Sequence, residues 1–160
     1  MSEHTEQCAV IEWARYNQGR LPELKLLFSV PNGAKLSYSR NKSGQRYSRQ
    51  AMVLLKEGML PGVSDLILAV KRGCYGCLSL ELKYGDNTTT DAQKEFIQNM
   101  NDAGNLAVVC YSAEEAIAVI EAYCKQPPWY PLDAEAVIAS VRQQNIDKYG
   151  GKHCKRIVPK

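Results

Sequence analysis

The sequence predicts an α/β fold in which a mixed β-sheet is flanked by helices, because helical and strand-like patterns alternate along the chain. Two apolar runs at residues 65–70 and 77–83 are separated by a short turn that contains Gly73 and Gly76, which predicts an antiparallel hairpin. A further apolar run at residues 105–111 follows a helical segment. We therefore expect it to join the same sheet through a helical crossover.

The length and composition are those of one folded domain. A chain of 160 residues is long enough for a single well-buried core and short for two, and its 45% hydrophobic and 23% charged residues are typical of globular proteins. No apolar run is long enough to span a bilayer, and the N-terminus is polar and acidic, unlike a signal peptide. We therefore expect a cytoplasmic protein without membrane contact, in which the six cysteines are free thiols.

The first part of the chain predicts two helices with a strand and a loop between them. An amphipathic helix is expected over residues 3–18, and a short strand over residues 25–30 ends at a Pro-Asn-Gly turn. Residues 34–47 have the composition of an exposed loop, with tyrosines among basic residues. Helical spacing resumes over residues 48–57, and Gly58 follows it as a helix stop.

After the hairpin, the pattern predicts a helix over residues 91–103, the strand at 105–111 and a helix over residues 113–124. Pro127 begins a proline-rich segment that ends this core, so we divide the chain into a domain at residues 1–126 and a C-terminal extension at 127–160. The extension is expected to contain a helix over residues 133–145 and a basic tail.

Positive charge is concentrated in two segments of a chain whose net charge is only +3. Between residues 31 and 58 a single acid, Glu57, accompanies six basic residues, namely Lys35, Arg40, Lys42, Arg46, Arg49 and Lys56. A second basic stretch runs from Arg142 to the C-terminus. Such local stretches on a nearly neutral protein indicate contact with a polyanion, most often nucleic acid, although a merely solubilising charged surface has the same composition.

Two acids and a lysine are predicted to converge on the hairpin. In the second strand, the two-residue period of β-structure places Glu81 and Lys83 on one face. Antiparallel pairing brings Asp65, at the start of the first strand, beside Glu81. Two carboxylates and a lysine are the minimum set for binding a hard divalent cation and for managing a nucleophilic water. An ordinary salt-bridged strand surface can also contain an isolated Glu-x-Lys triplet.

The helix that follows the hairpin begins with a polar residue on its inward side. Gln93, Phe96, Ile97 and Met100 share one helical face by their spacing. Gln93 therefore lies in the first turn of the face that packs inward. We expect its side chain to point toward Glu81 and Lys83.

Three stretches, LPGVSDLIL, LSLELKYG and TDAQKEF, together resemble the PD-(D/E)XK nuclease signature in the form found in the VRR-NUC domain. The likeness covers roughly residues 3–123. It implies a restriction-endonuclease-like core and phosphodiester hydrolysis that depends on Mg²⁺ or Mn²⁺. One departure is Ser64, at a position before the acid that is often proline in this motif.

The resemblance also implies roles for individual residues. Asp65 and Glu81 would be metal ligands, the backbone carbonyl of Leu82 a further ligand, Lys83 the catalytic lysine and Gln93 the helix glutamine of the site. A further acid is expected on the first helix, where Glu3 and Glu6 are both candidates. Independently of the resemblance, the charge of the basic segment predicts DNA contacts by Lys35, Arg40, Lys42, Arg46 and Arg49.

Standalone VRR-NUC proteins of phages and prophages resemble Holliday junction resolvases, so the likeness implies a homodimer that cuts branched DNA, with a role in DNA repair. Two alternatives remain open: a non-catalytic DNA-binding module that keeps the fold, and the nuclease part of a restriction system. A zinc site at Cys74 and Cys77, with His153 and Cys154, is not favoured because a second complete ligand pair is absent.

Overall fold

The computed structural model describes the backbone of residues 2–31, 39–40, 46–127 and 130–150, with side chains except at 39–40 and 46–47. The first half contains helix α1 (Glu3–Asn17), a 3-10 turn (Pro22–Leu26), strands β1 (Leu27–Ser29), β2 (Ser39–Arg40) and β3 (Arg46–Tyr47), helix α2 (Arg49–Lys56) and strand β4 (Leu66–Leu68). The second half contains β5 (Leu78–Leu82), α3 (Asp91–Asp102), β6 (Leu106–Cys110), α4 (Ala113–Cys124) and α5 (Ala134–Tyr149).

The predicted mixed sheet is confirmed. Its strand order is β1-β4-β5-β6, in which β4 pairs antiparallel with both β1 and β5, whereas β5 and β6 are parallel. The antiparallel pair of β4 and β5 is the predicted hairpin, and α3 forms the crossover that parallel strands require. The strand order leaves the central strand, β5, between a hairpin partner and a crossover partner.

Several predicted boundaries differ from the structure. The strand expected over residues 25–30 is shorter, because Pro22–Leu26 forms a 3-10 turn and only Leu27–Ser29 pairs with β4. Part of the predicted loop at residues 34–47 forms the small antiparallel pair of β2 and β3, and the rest of it lies outside the described residues. The helix of the extension continues to Tyr149, and the tail beyond residue 150 also lies outside them.

The core lies between the sheet and the pair of helices α1 and α4. Leucines of β4 and β5 point to this side and pack with Val10 of α1 and with Val119 and Ile120 of α4, all fully buried. Helix α5 packs on α4 and buries Ile138. All five residues of β5 are buried, so the opposite face of this strand, which holds Ser79 and Glu81, is covered too. Over the described residues, no helix is long and apolar enough to cross a membrane.

Candidate active site

The strand register brings Asp65 and Glu81 together. Leu66 of β4 lies opposite Leu80 of β5, so the next positions outward place Asp65 opposite Glu81, as predicted. The β1 pairing continues as far as Asp65, whose carbonyl accepts the N–H of Val30 at 2.9 Å. The Asp65 side chain is also fixed, because its Oδ2 accepts the backbone N–H of Leu82 at 2.8 Å. Both acids are therefore held at the same end of the hairpin.

Lys83 lies beside Glu81 in the interior of the protein. The Lys83 Nζ donates to Oε1 of Glu81 at 2.6 Å, which confirms the shared face that the two-residue period predicts. Glu81 has no exposed surface and Lys83 is 6% exposed. Glu and Lys are rarely buried to this extent unless they are paired. The pair is thus an internal feature of the protein, unlike the salt-bridged residues of an ordinary strand surface.

Gln93 is the third group on Glu81. Its Nε2 donates to the same carboxylate oxygen, Oε1, that accepts from Lys83. The predicted inward direction of Gln93 is therefore confirmed, and the stripe that it shares with Phe96, Ile97 and Met100 is half-buried. Two donors thus share Oε1. The other oxygen of Glu81, Oε2, is buried and has no hydrogen-bond partner among the described residues.

Burial dominates the electrostatics of the acid pair. It raises the pKa of Glu81 to about 7, against the opposing effect of the Lys83 ammonium, and the negative charges of Asp65 and Glu3 raise the same pKa further. Burial also raises the pKa of Asp65, where the hydrogen bond from Leu82 and the charge of Lys83 act in the opposite direction. A buried pair of acids that resists ionisation is a place where an added positive charge is stabilised.

The two candidate acids of the first helix have different surroundings. Glu6 is buried, and its Oε2 accepts the N–H of Ala113, the first residue of α4, at 2.8 Å. Glu3 accepts the side-chain N–H of Asn87 at 2.9 Å, and its charge raises the pKa of both Asp65 and Glu81. Glu6 is thus engaged at a helix terminus, whereas Glu3 acts electrostatically on the acid pair.

The donor set suits a hard cation that coordinates oxygen. Among the described side chains, no group of three or more His, Cys, Asp or Glu residues is arranged to hold a metal ion. The oxygens available at Asp65 and Glu81 are carboxylate ligands of the kind that Mg²⁺ prefers, with waters completing its shell. The N–H of Lys83 donates to the carbonyl of Cys110 in β6, so the Leu82 carbonyl of the same peptide unit points the opposite way, toward β4. This is also the side to which the Leu82 N–H points, where it donates to Asp65.

Two residues beside this site were not among those predicted from the sequence. Thr90 is the N-cap of α3 and forms a capping box with Gln93, and Gly62 packs its backbone directly against the first turn of the same helix. The signal for Thr90 was present as a Thr-x-x-Gln pattern before an apolar stripe. Gly62 follows Pro61 in a turn, which shows only that the chain bends there.

The predicted DNA contacts are only partly described. Arg40 lies opposite Arg46 in the register of the β2–β3 pair, and Arg49 is the exposed first residue of α2. Lys35 and Lys42 lie outside the described residues. The described basic residues therefore follow one another along a strand pair and the helix after it.

The described cysteines do not indicate a zinc site. Cys77 donates its thiol hydrogen to Oδ1 of Asn105 at 3.3 Å, and Cys74 is exposed near the carbonyl of Tyr130. Both are free thiols. His153 and Cys154, the other residues of that hypothesis, lie outside the part of the chain that the structure describes.

Comparison with known proteins shows a likeness to a solved structure. No family model matches the sequence, and no curated protein matches it. Among solved structures, the chain is similar to a VRR_NUC domain protein with 25% sequence identity and a TM-score of 0.64. The likeness covers 81% of this chain and 93% of that chain. It confirms the predicted restriction-endonuclease-like α/β architecture and the resemblance read from the sequence motifs.

Proposed function

Because this chain carries a VRR-NUC-type, nuclease-like domain, we propose that it hydrolyses phosphodiester bonds in DNA with Mg²⁺ or Mn²⁺ as its cofactor. The observation that carries the proposal is the state of Glu81. One of its oxygens accepts hydrogen bonds from Lys83 and Gln93, and the other is buried and has no partner within the described part of the chain. Asp65 lies opposite Glu81 in the strand register. A buried acceptor without a donor costs roughly 1–3 kcal/mol, and a cation at this position removes that cost.

The cation would be held by Asp65, by the free oxygen of Glu81 and by the backbone carbonyl of Leu82. When bound, it would neutralise charge on the scissile phosphate and lower the pKa of a coordinated water. Glu3 is the first-helix acid that we assign to this site, since its charge acts on both carboxylates while Glu6 is engaged by α4.

Lys83 has two tasks in this proposal. Its ammonium neutralises part of the charge of Glu81, through the contact of 2.6 Å at Oε1. Its remaining hydrogens are available to orient the attacking water or to donate to a phosphate oxygen as negative charge develops there. Since Lys83 is buried, water competes little for those hydrogens, and each hydrogen bond is stronger than on a surface. Gln93 contributes by holding the Glu81 carboxylate in one orientation.

The proposed substrate is DNA with a branched structure, bound by the basic residues Lys35, Arg40, Lys42, Arg46 and Arg49. We further propose a homodimer, because a symmetric pair of sites suits the paired strands of a junction. Action in the cytoplasm of a bacterium or of a phage-infected cell, in DNA repair, belongs to the same proposal. These finer statements rest on the sequence resemblance and on the charge of the basic segment.

The test is a cleavage assay with labelled junction, flap, bubble and linear DNA, each incubated with Mg²⁺ or Mn²⁺. The double variant Glu81→Ala, Lys83→Ala is expected to lose cleavage of every substrate. The matched control is Arg20→Ala, Glu121→Ala, which removes an exposed ion pair of the same charge types away from the site. Undiminished cleavage by the Glu81→Ala, Lys83→Ala variant would contradict the proposed active site. Binding of DNA without cleavage by the unmodified protein would favour the non-catalytic module.

A further inference from the structure

The side-chain amide of Gln93 is held at both ends. Its oxygen, Oε1, accepts the backbone N–H of Thr90 at 2.9 Å and the Thr90 hydroxyl at 3.3 Å. In return, the Thr90 hydroxyl accepts the backbone N–H of Gln93 at 3.3 Å. The Gln93 nitrogen then faces Glu81. This capping box therefore has a second function besides satisfying the free N–H groups of the helix terminus.

The two donors from Thr90 determine which way the amide points. If the Gln93 amide were rotated by half a turn, its NH₂ group would face the Thr90 N–H and its oxygen would face the Glu81 carboxylate. Both contacts would set like partial charges against each other, donor against donor and acceptor against acceptor. In the observed orientation, each contact of the Gln93 amide pairs a donor with an acceptor. Thr90 thereby selects the hydrogen-bond donor that is presented to Glu81.

Gly62 fixes the position of the same helical turn. Its φ of +84° lies in the region that favours glycine, and a Cβ at this residue would overlap the carbonyl of Ala92 and lie 2.8 Å from the backbone nitrogen of Gln93. Only a residue without a side chain allows the two backbones to approach so closely. Because Gly62 precedes Asp65 by three residues, this contact links the start of α3 to the segment that leads into the acid pair.

We propose that Thr90 and Gly62 are positioning residues for the cation site: they hold the Gln93 amide so that it occupies one oxygen of Glu81 and leaves the other oxygen to the cation. The part of this inference that concerns the cation rests on the proposed function. The orientation of Gln93 itself can be measured without any metal. Thr90 and Gly62 act through Gln93 and do not touch the reacting groups.

The experiment compares Thr90→Val, Thr90→Ser and the unmodified protein by two measurements. The first is the dissociation constant for Mn²⁺ alone, measured by titration calorimetry without DNA. The second is the side-chain ¹⁵N–¹H signal of Gln93 in the metal-free protein, assigned by its absence in Gln93→Met. Thr90 is exposed, so its replacement leaves the core intact. The control is Asp133→Ala, which removes the N-cap of α5, where Oδ1 accepts the N–H of Ala136 at 2.9 Å.

Thr90→Val is expected to weaken Mn²⁺ binding about two- to tenfold, the range that corresponds to one lost hydrogen bond. It should also move the Gln93 signal toward that of a free glutamine side chain, while Thr90→Ser restores both properties. Unchanged affinity and an unchanged signal in Thr90→Val would overturn the inference. So would an equal loss of affinity in Asp133→Ala, since that result would indicate general helix destabilisation.

Gly62→Ala provides a second variant with a stronger expected effect on the Gln93 signal. If the unmodified protein bound no Mn²⁺ or Mg²⁺, the proposed function would be wrong. The Gln93 signal of the metal-free variants would still test whether Thr90 and Gly62 orient the Gln93 amide. The two failures are therefore distinguishable. If Gly62→Ala left the signal and the Mn²⁺ affinity unchanged, the role assigned to Gly62 would be wrong.

Discussion

The carboxylate of Glu6, in the first helix, accepts the backbone N–H of Ala113 at 2.8 Å and so caps α4 from a distance of 107 residues along the chain. A negative charge at a helix N-terminus is stabilised by the helix dipole and by the unsatisfied N–H groups there. Glu6 is 8% exposed, so water does not readily replace it. The contact joins α1 to α4 and gives Glu6 a structural role.

Glu6→Ala is expected to lower the free energy of unfolding by about 1–3 kcal/mol, because it leaves the buried N–H of Ala113 without an acceptor. Denaturant unfolding measures the change. Cleavage per folded molecule should be retained under conditions in which the variant is folded. A variant as stable as the unmodified protein would contradict the capping role.

Glu3→Gln is expected to affect cleavage and not stability, the opposite of Glu6→Ala. Glu3 acts on the acid pair through its charge, so its replacement should reduce cleavage while changing the free energy of unfolding by no more than about 0.5 kcal/mol. The two measurements are made side by side with those on Glu6→Ala. Full activity in Glu3→Gln would remove Glu3 from the site.

The metal-free protein is expected to lose stability as the pH rises from about 4.5 to about 7. The folded pKa of Glu81 is raised to about 7, above its ordinary value of 4.5, so the folded state binds the proton more tightly than the unfolded state does. This contribution is fully present below the unfolded pKa and is lost as the pH passes the folded pKa. At about 1.4 kcal/mol for each pH unit between the two pKa values, the total loss is up to about 3 kcal/mol.

Denaturant unfolding in the presence of a chelator, at a series of pH values from 4 to 8 (~0.5-unit steps suffice to resolve one titration), measures this dependence. Glu81→Gln keeps the side-chain volume and removes the titrating group, so its stability should vary less over the same interval. Added Mn²⁺ should also flatten the curve at the upper end, since a cation competes with the proton. An identical pH dependence in Glu81→Gln would show that another group is responsible.

Arg142→Met is expected to destabilise the protein by about 3 kcal/mol, because it leaves the buried Glu115 charge without its cation. Arg142 Nε donates to Glu115 Oε1 at 2.7 Å, and Glu115 is only 4% exposed. This ion pair links α5 to α4. The matched control is Arg20→Met, which breaks an exposed pair with Glu121 and should cost no more than about 1 kcal/mol. Equal effects of the two substitutions on denaturant unfolding would contradict the argument.

Ser79→Ala is expected to leave the free energy of unfolding unchanged or to raise it by about 1 kcal/mol, because the Ser79 hydroxyl is fully buried and no described residue forms a hydrogen bond with it. Ser48→Ala is the comparison. The Ser48 hydroxyl is the N-cap of α2 and accepts the N–H of Ala51 at 3.3 Å, so its loss should cost about 1 kcal/mol. The thermal unfolding temperature should therefore fall in Ser48→Ala, and it should stay the same or rise in Ser79→Ala.

Arg46→Ala, Arg49→Ala is expected to weaken DNA binding at low salt and to reduce its salt dependence. Each phosphate contact that is lost lowers the slope of log K against log salt by about 0.9 for duplex DNA. Fluorescence anisotropy with a labelled duplex at several salt concentrations measures this slope. Lys125→Ala, which removes an exposed lysine paired with Glu121, is the control. Equal slopes in all three proteins would remove Arg46 and Arg49 from the DNA-binding surface.

The sequence by itself determined the local geometry of the candidate site. Strand periodicity placed Glu81 and Lys83 on one face, and antiparallel pairing of the hairpin brought Asp65 beside Glu81. Helical spacing likewise placed Gln93 on the inward side of α3. These relationships depend on residues close in the chain or on a regular repeat, which is why they can be derived without coordinates.

Only the tertiary structure distinguished the surroundings of the two acids of the first helix. Glu3 and Glu6 are one helical turn apart and chemically alike, so helical spacing alone cannot separate them. The difference depends on how α1 packs across the N-terminus of α4, where Glu6 accepts the N–H of Ala113, whereas the charge of Glu3 raises the pKa of Asp65 and of Glu81. The close approach of Gly62 to α3 was equally undetermined, because such packing joins segments whose separation along the chain carries no periodic signal.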